Sequence, residues 1–128
     1  MYIAAFIYKP GEIDEEFKRL SAVIDEVAAS VPGFLGAESW RSPDGSMSNA
    51  SYYWQDQEAL RTFASHPRHL EAKRQYRKWY AGYHVVVSKV ERVYGDRSFD
   101  HITRSSEAEK KGRSIDRPND PRAEARSI

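Results

Sequence analysis

The 128-residue chain sets 20 lysines and arginines against 19 aspartates and glutamates, a formal charge of +1, so it has no overall field to gather nucleic acid or an anionic membrane. Cysteine is absent, which removes disulfides, thiolate zinc sites, iron–sulfur clusters and a cysteine nucleophile together, and fits a reducing cytoplasm. The length suits one domain with a real hydrophobic core, still small enough to gain from assembly.

The N-terminus, "MYIAAFIYKPGEIDEE", has no basic leader and an apolar run far shorter than the ~20 residues of a membrane span. It reads as the first strand of a soluble protein. Tyr2 to Tyr8 is apolar at every position, as in a strand buried on both faces, with Ile3, Ala5 and Ile7 on one side and Tyr2, Ala4, Phe6 and Tyr8 on the other. "KPGE" breaks it. From Asp14 to Ser30 the apolar residues Phe17, Leu20, Ile24, Val27 and Ala28 fall at helical spacings, which predicts an amphipathic helix capped by Asp14 and ended by "VPG". "FLGAESWRS" and "MSNASYYWQ" flank "PDG" and predict a hairpin. A helical pattern starts at "DQEALRTFASH", is interrupted at Pro67 and is expected to continue to Tyr80; "YHVVVSKVERVY" is the last strand.

This β-α-β-β-α-β order predicts an α+β, ferredoxin-like fold: an antiparallel four-stranded sheet with two helices on one face. Two helices cover one sheet face, so the apolar residues of the other need a cover, and a second copy of the chain is the economical one; a homodimer is expected. Residues 1–95 form the patterned domain. The tail, residues 96–128, is poor in apolar side chains and rich in mixed charge, so it cannot offset its own ordering entropy and is expected to lie on the partner subunit, anchored by Phe99 and Ile102.

The chemistry-bearing residues cluster in "FASHPRHLEAKRQYRKWYAGYHVVV". His66 and His69 are three apart with proline between them, which is not the i, i+4 chelate of a helical metal site, so no metal centre is expected. Pro67 suits the first helical position and puts His66 at the cap. His69 shares a helix face with Ala72, Tyr76, Trp79 and Tyr80 and should look inward. A hydrogen-bonded core histidine, a base in a ligand pocket and a heme ligand are all consistent with that placement. On strand three, Tyr52 and Trp54 face one way and Tyr53 the other, with Asn49 on the Tyr53 side. So many polar-tipped aromatics suit a pocket for a planar molecule, although aromatics at such spacing also build cores. The cluster "RQYRK" reads as a solvated helix face. Dinucleotide, P-loop and serine-hydrolase motifs are missing from the sequence.

The stretch "YYWQDQEALRTFASHPRHLEAKRQYRKWYAGYHVVVSKVERVYG", with its strand-three tryptophan followed by acids and then "F-x-x-H-P-x-H" and "WY-x-x-Y", resembles the antibiotic biosynthesis monooxygenase (ABM) superfamily of dimeric α/β-barrel proteins over about residues 1–95. That resemblance implies a cofactor-independent monooxygenase acting on a small phenolic or polyketide-like aromatic. It implies catalytic roles for His69, as base or donor, and Trp54, as ring holder, with Asn49, Tyr53, Phe63, Tyr76 and Trp79 binding the substrate. Heme-degrading relatives carry an asparagine on strand one, where this chain has "AAFIY", and a histidine on the second helix where Lys73 aligns, one turn past His69. Heme binding through His69 is therefore the second reading, and a non-catalytic small-molecule binder or structural dimer the third.

Overall fold

The computed structural model describes residues 1–103. The chain divides into two compact units, the first Met1–Lys89 and the second beginning at Val90. The first runs β1 (Tyr2–Pro10), α1 (Glu15–Ser30), β2 (Phe34–Arg41), β3 (Ser48–Trp54), α2 (Gln57–Ala64), α3 (Pro67–Arg74), a single 3-10 turn (Tyr76–Lys78) and β4 (Tyr80–Lys89). The strands form one antiparallel sheet in the order β2-β3-β1-β4, the ferredoxin-like arrangement the sequence predicts.

Each helix starts where its capping chemistry dictates. The Asp14 carboxylate accepts the Phe17 N–H at 2.8 Å and the Asp56 carboxylate accepts the Ala59 N–H at 2.9 Å. His66 caps α3, its Nδ1 accepting the Arg68 N–H at 3.1 Å, with Pro67 opening the helix as expected. Gly33 ends the α1–β2 turn with φ +98, and a Cβ there would sit 2.9 Å from the Ala59 Cβ, so both backbone and space call for glycine.

The expected long second helix is not one helix. It stops at Arg74, and Tyr80 belongs to β4. The cause lies at Trp79, 2% exposed, which packs on Phe17 (ring centroids 5.6 Å) and donates its indole N–H to the Asp14 carboxylate at 3.0 Å. Its carbonyl accepts the Gly11 N–H at 2.6 Å, a main-chain contact so close that a Cβ on Gly11 would lie 3.0 Å from that oxygen. Seating Trp79 against the end of β1 in this way takes the chain out of helical register before it.

Register places Tyr2, Ala4, Phe6 and Tyr8 of β1 beside Trp54, Tyr52, Ala50 and Ser48 of β3. These residues face the helices, where Tyr2, Ala4 and Tyr52 pack on a core of Ala28, Val31, Trp54, Ala59, Leu60 and Phe63. Ile3, Ala5 and Ile7 take the opposite face with Tyr53, Ser51 and Asn49. In the second unit Phe99 is 71% exposed, and residues 104–128, where most of the expected partner-binding tail falls, lie outside the described residues.

Candidate active site

Between the helices and the sheet, mostly over β1 and β4 but reaching Ala50 and Tyr52 of β3 and Ser39 of β2, lies a cavity of about 750 Å³. Its roof is α1 from Phe17 to Asp25, where Phe17, Leu20, Ser21, Ile24 and Asp25 recur at helical spacing. The floor is Ala4, Phe6 and Tyr8 of β1 with Tyr83, Val85 and Val87 of β4, paired directly across the ladder. His69, Ala72, Lys73 and Tyr76 close one side, and Trp79 and Tyr80 the end. The face predicted for the second helix is therefore brought together, although only His69 and Ala72 reach the cavity from α3: Tyr76 comes from the 3-10 turn, Trp79 from its end and Tyr80 from β4.

His69 is half-buried, its ring 4.6 Å from that of Phe63. Its Nδ1 lies 3.2 Å from the Ala64 carbonyl. A carbonyl has no proton to give, so Nδ1 is the protonated nitrogen, and in the neutral ring Nε2 keeps a free lone pair. Burial lowers the His69 pKa from the ordinary 6.5; the Ala64 carbonyl works against that, and the charge of Lys73 works with it. The ring is thus held neutral at physiological pH, with one nitrogen anchored and the other available as an acceptor.

The tyrosines supply the opposite polarity. Burial, reinforced by neighbouring Tyr8, pushes the Tyr80 hydroxyl up to about 12. The Tyr52 hydroxyl is also raised, by burial and by Asp25, whose carboxylate accepts its proton at 3.1 Å. Stacked and tilted rings line the apolar wall, with Phe6 and Tyr8 at 5.1 Å and Tyr8 and Tyr80 at 4.7 Å.

Of the residues expected at the site, His69, Phe63, Tyr76 and Trp79 line this cavity. Trp54 stands behind Phe63, with ring centroids 5.0 Å apart, and is 0% exposed in the core. Its indole N–H has no hydrogen-bond partner among the described residues. Asn49 and Tyr53 alternate onto the other sheet face, where the Tyr53 hydroxyl donates to Glu38 Oε1 at 2.6 Å and the Asn49 amide to Ser51 Oγ at 3.0 Å. The pleat separates these two from His69, because alternate residues of β3 point to opposite faces. Sequence reasoning missed Phe6, Tyr8, Phe17 and Tyr83. The period-two set Tyr2, Ala4, Phe6, Tyr8 was visible in β1, and only the side the helices choose was not. Among the described residues, no cluster of three or more His, Asp or Glu side chains could hold a metal ion, and no helix is long and apolar enough to cross a membrane.

The profile of the monooxygenase af470-like family matches residues 5–99. The uncharacterized protein YqjZ of Bacillus subtilis is 36% identical over 92 residues, spanning 71% of this chain and 80% of that one. Among solved structures, SnoaB, a cofactor-independent oxygenase from Streptomyces nogalater, superposes with a TM-score of 0.62 at 18% identity, over 72% of this chain and 94% of its own. The structure of Rv0793 from Mycobacterium tuberculosis superposes with a TM-score of 0.56 at 16% identity, over 74% and 100% of the respective chains.

Proposed function

The chain belongs to the monooxygenase af470-like family, within the ABM superfamily, and from that membership we propose that it oxygenates a small electron-rich aromatic without metal, heme or flavin. The observation that carries the proposal is the aromatic cavity with His69 in its wall, one ring nitrogen fixed by Ala64 and the other free. The likeness to a structure described as a cofactor-independent oxygenase is compatible with it.

In this reading a phenol with a hydrogen on the ring carbon para to its hydroxyl gives the hydroxyl proton to His69 Nε2. The anion passes one electron to O2, and the radical pair combines to form a carbon–oxygen bond. His69 returns its proton to the resulting peroxide and then removes the ring hydrogen as the O–O bond breaks. Hydroxide leaves and takes that proton as water. One oxygen atom ends in the quinone and the other in water, so the substrate loses two hydrogens and gains one oxygen. The protein's contribution is positioning, a base of suitable pKa and exclusion of bulk water by the aromatic walls. Phe63, Tyr76 and Trp79 form the wall, and Trp54 supports it from behind Phe63.

A thermal-shift screen of phenols, quinols and hemin, followed by oxygen uptake, tests this. His69→Ala should lower turnover by about 10²–10⁴-fold, while His66→Ala, at a solvent-facing cap, should leave it nearly unchanged. A Soret band on hemin addition that His69→Ala abolishes would move the protein to heme chemistry. Ligand binding with no oxygen uptake would make it a binding protein.

We also propose that it works as a cytoplasmic homodimer joined through the sheet face opposite the helices. That face carries Ile3, Ala5 and Ile7, and on it Trp40 is 65% and Val86 39% exposed. Sedimentation showing a stable folded monomer at micromolar concentration would contradict the dimer.

A further inference from the structure

The cavity walls are unbalanced in what they offer a ligand. Tyr8, Tyr80, Tyr83 and Lys73 all line it, and none of their three hydroxyls and one ammonium hydrogen-bonds or ion-pairs with another described side chain. The raised pKa of Tyr80 keeps that hydroxyl a donor. Against these donors stands His69 Nε2, which no other described group engages; the second histidine of the lining, His84, pairs with Ile7 in the ladder, so the pleat turns its ring to the opposite sheet face. The single carboxylate in the lining, Asp25, already accepts from Tyr52; Ser21 and Ser39 can play either part.

Lys73 follows His69 by one helical turn on the same face of α3, which sets their Cβ atoms about 5–6 Å apart. Its acidic neighbour on the helix, Glu71, is committed to Arg74 at 2.7 Å and Gln75 at 2.8 Å. Lys78, further along, pairs with Glu16 at 3.8 Å. Among the described residues the charge of Lys73 therefore has no ion-pair partner, and it lies near a histidine that it helps to keep neutral.

We infer that the ligand is a hydroxyaryl carboxylate, its hydroxyl set against His69 and its carboxylate against Lys73 and the tyrosine hydroxyls, with Lys73 selecting for the acidic group. This rests on the reading of the cavity as an aromatic-substrate site and adds the ligand's charge to it. The ligand's rings are set against Phe6 and Phe17, which both line the cavity. Asp25 opposes an anion, and its hydrogen bond from Tyr52 only partly offsets that.

Calorimetric titration with 2-naphthol and 6-hydroxy-2-naphthoate separates the two claims. The wild-type protein should bind the carboxylate roughly fivefold more tightly than the naphthol, as expected of one solvent-facing charge pair, and added salt should shrink the difference. Lys73→Met should abolish the preference, Lys73→Arg should keep it, and Asp25→Asn should enlarge it. Lys73 is exposed, so its variants should fold. Equal affinities in the wild type, or a preference that survives Lys73→Met, would overturn the inference and leave the aromatic site standing. If neither compound binds, the aromatic-site reading falls and this one with it.

Discussion

The face of the sheet under the helices is solid at one end and hollow at the other. Over β2 and β3, Ala28 and Trp54 are 0% exposed and Phe63 5%, and the end of α1 with its cap residue presses Val27 and Val31 into the same cluster. Mostly over β1 and β4, the same helix from Phe17 to Asp25 roofs a cavity of about 750 Å³, and Tyr83, Val85 and Val87 remain 44%, 45% and 53% exposed. One amphipathic stripe thus serves two purposes. The difference comes from what meets it. Behind β3 the chain turns at once into α2, which lays Ala59, Leu60 and Phe63 onto Trp54; α3 stops at Arg74 and sends the chain through Trp79 into β4. Ring-rich side chains then line a volume that no further helix fills. Phe63 belongs to both halves, touching Trp54 on one side and His69 on the other.

If that contrast is right, truncations should cost very different amounts in the two halves. Trp54→Ala removes a fully buried indole and should destabilise the fold by about 3–5 kcal/mol in chemical denaturation; a loss under about 1 kcal/mol would mean that the solid half is not packed as described. A smaller effect is expected at the boundary. Burial lowers the His69 pKa, so below pH 6.5 the unfolded chain takes up a proton before the native one does, and stability falls from that pH down to the native pKa. His69→Gln should flatten this acid limb without altering stability at pH 8, as denaturation midpoints across the range would show. The least effect belongs to the hollow floor. Val87→Thr should shift stability by no more than about 0.5 kcal/mol, and a larger loss would mean that β4 is covered in solution by something outside this face.

Much of this organisation was legible before the fold. Helical spacing in α1, the "PDG" turn and the Asp14 and His66–Pro67 caps are local signals, and local signals survive folding. The inward face of His69 and Ala72 is likewise a property of one helix. The end of α3 was not legible, because the burial of Trp79 against Asp14 and Gly11 joins segments distant in sequence. Nor could alternation tell which face of β3 the helices would choose. Asn49 and Tyr53, given substrate contacts by the family resemblance, were already placed by alternation on the face away from Trp54, and the helices cover the Trp54 side. The cavity itself has no sequence signature: the tyrosines and valines around it would pattern identically around a filled core.

The central claim, that the hollow half is a ligand site rather than a loosely drawn core, is tested by putting a tryptophan into each half. Ala72 lines the cavity on α3 and Ala28 sits in the solid core at 0% exposure. The melting temperature and 2-naphthol affinity of Ala72→Trp, measured beside Ala28→Trp, are the decisive pair. The account predicts that Ala72→Trp folds with a melting temperature at or above that of the wild type and no longer binds the naphthol, while Ala28→Trp is severely destabilised by overpacking. Undiminished binding by a folded Ala72→Trp, or destabilisation as large as that of Ala28→Trp, would contradict it.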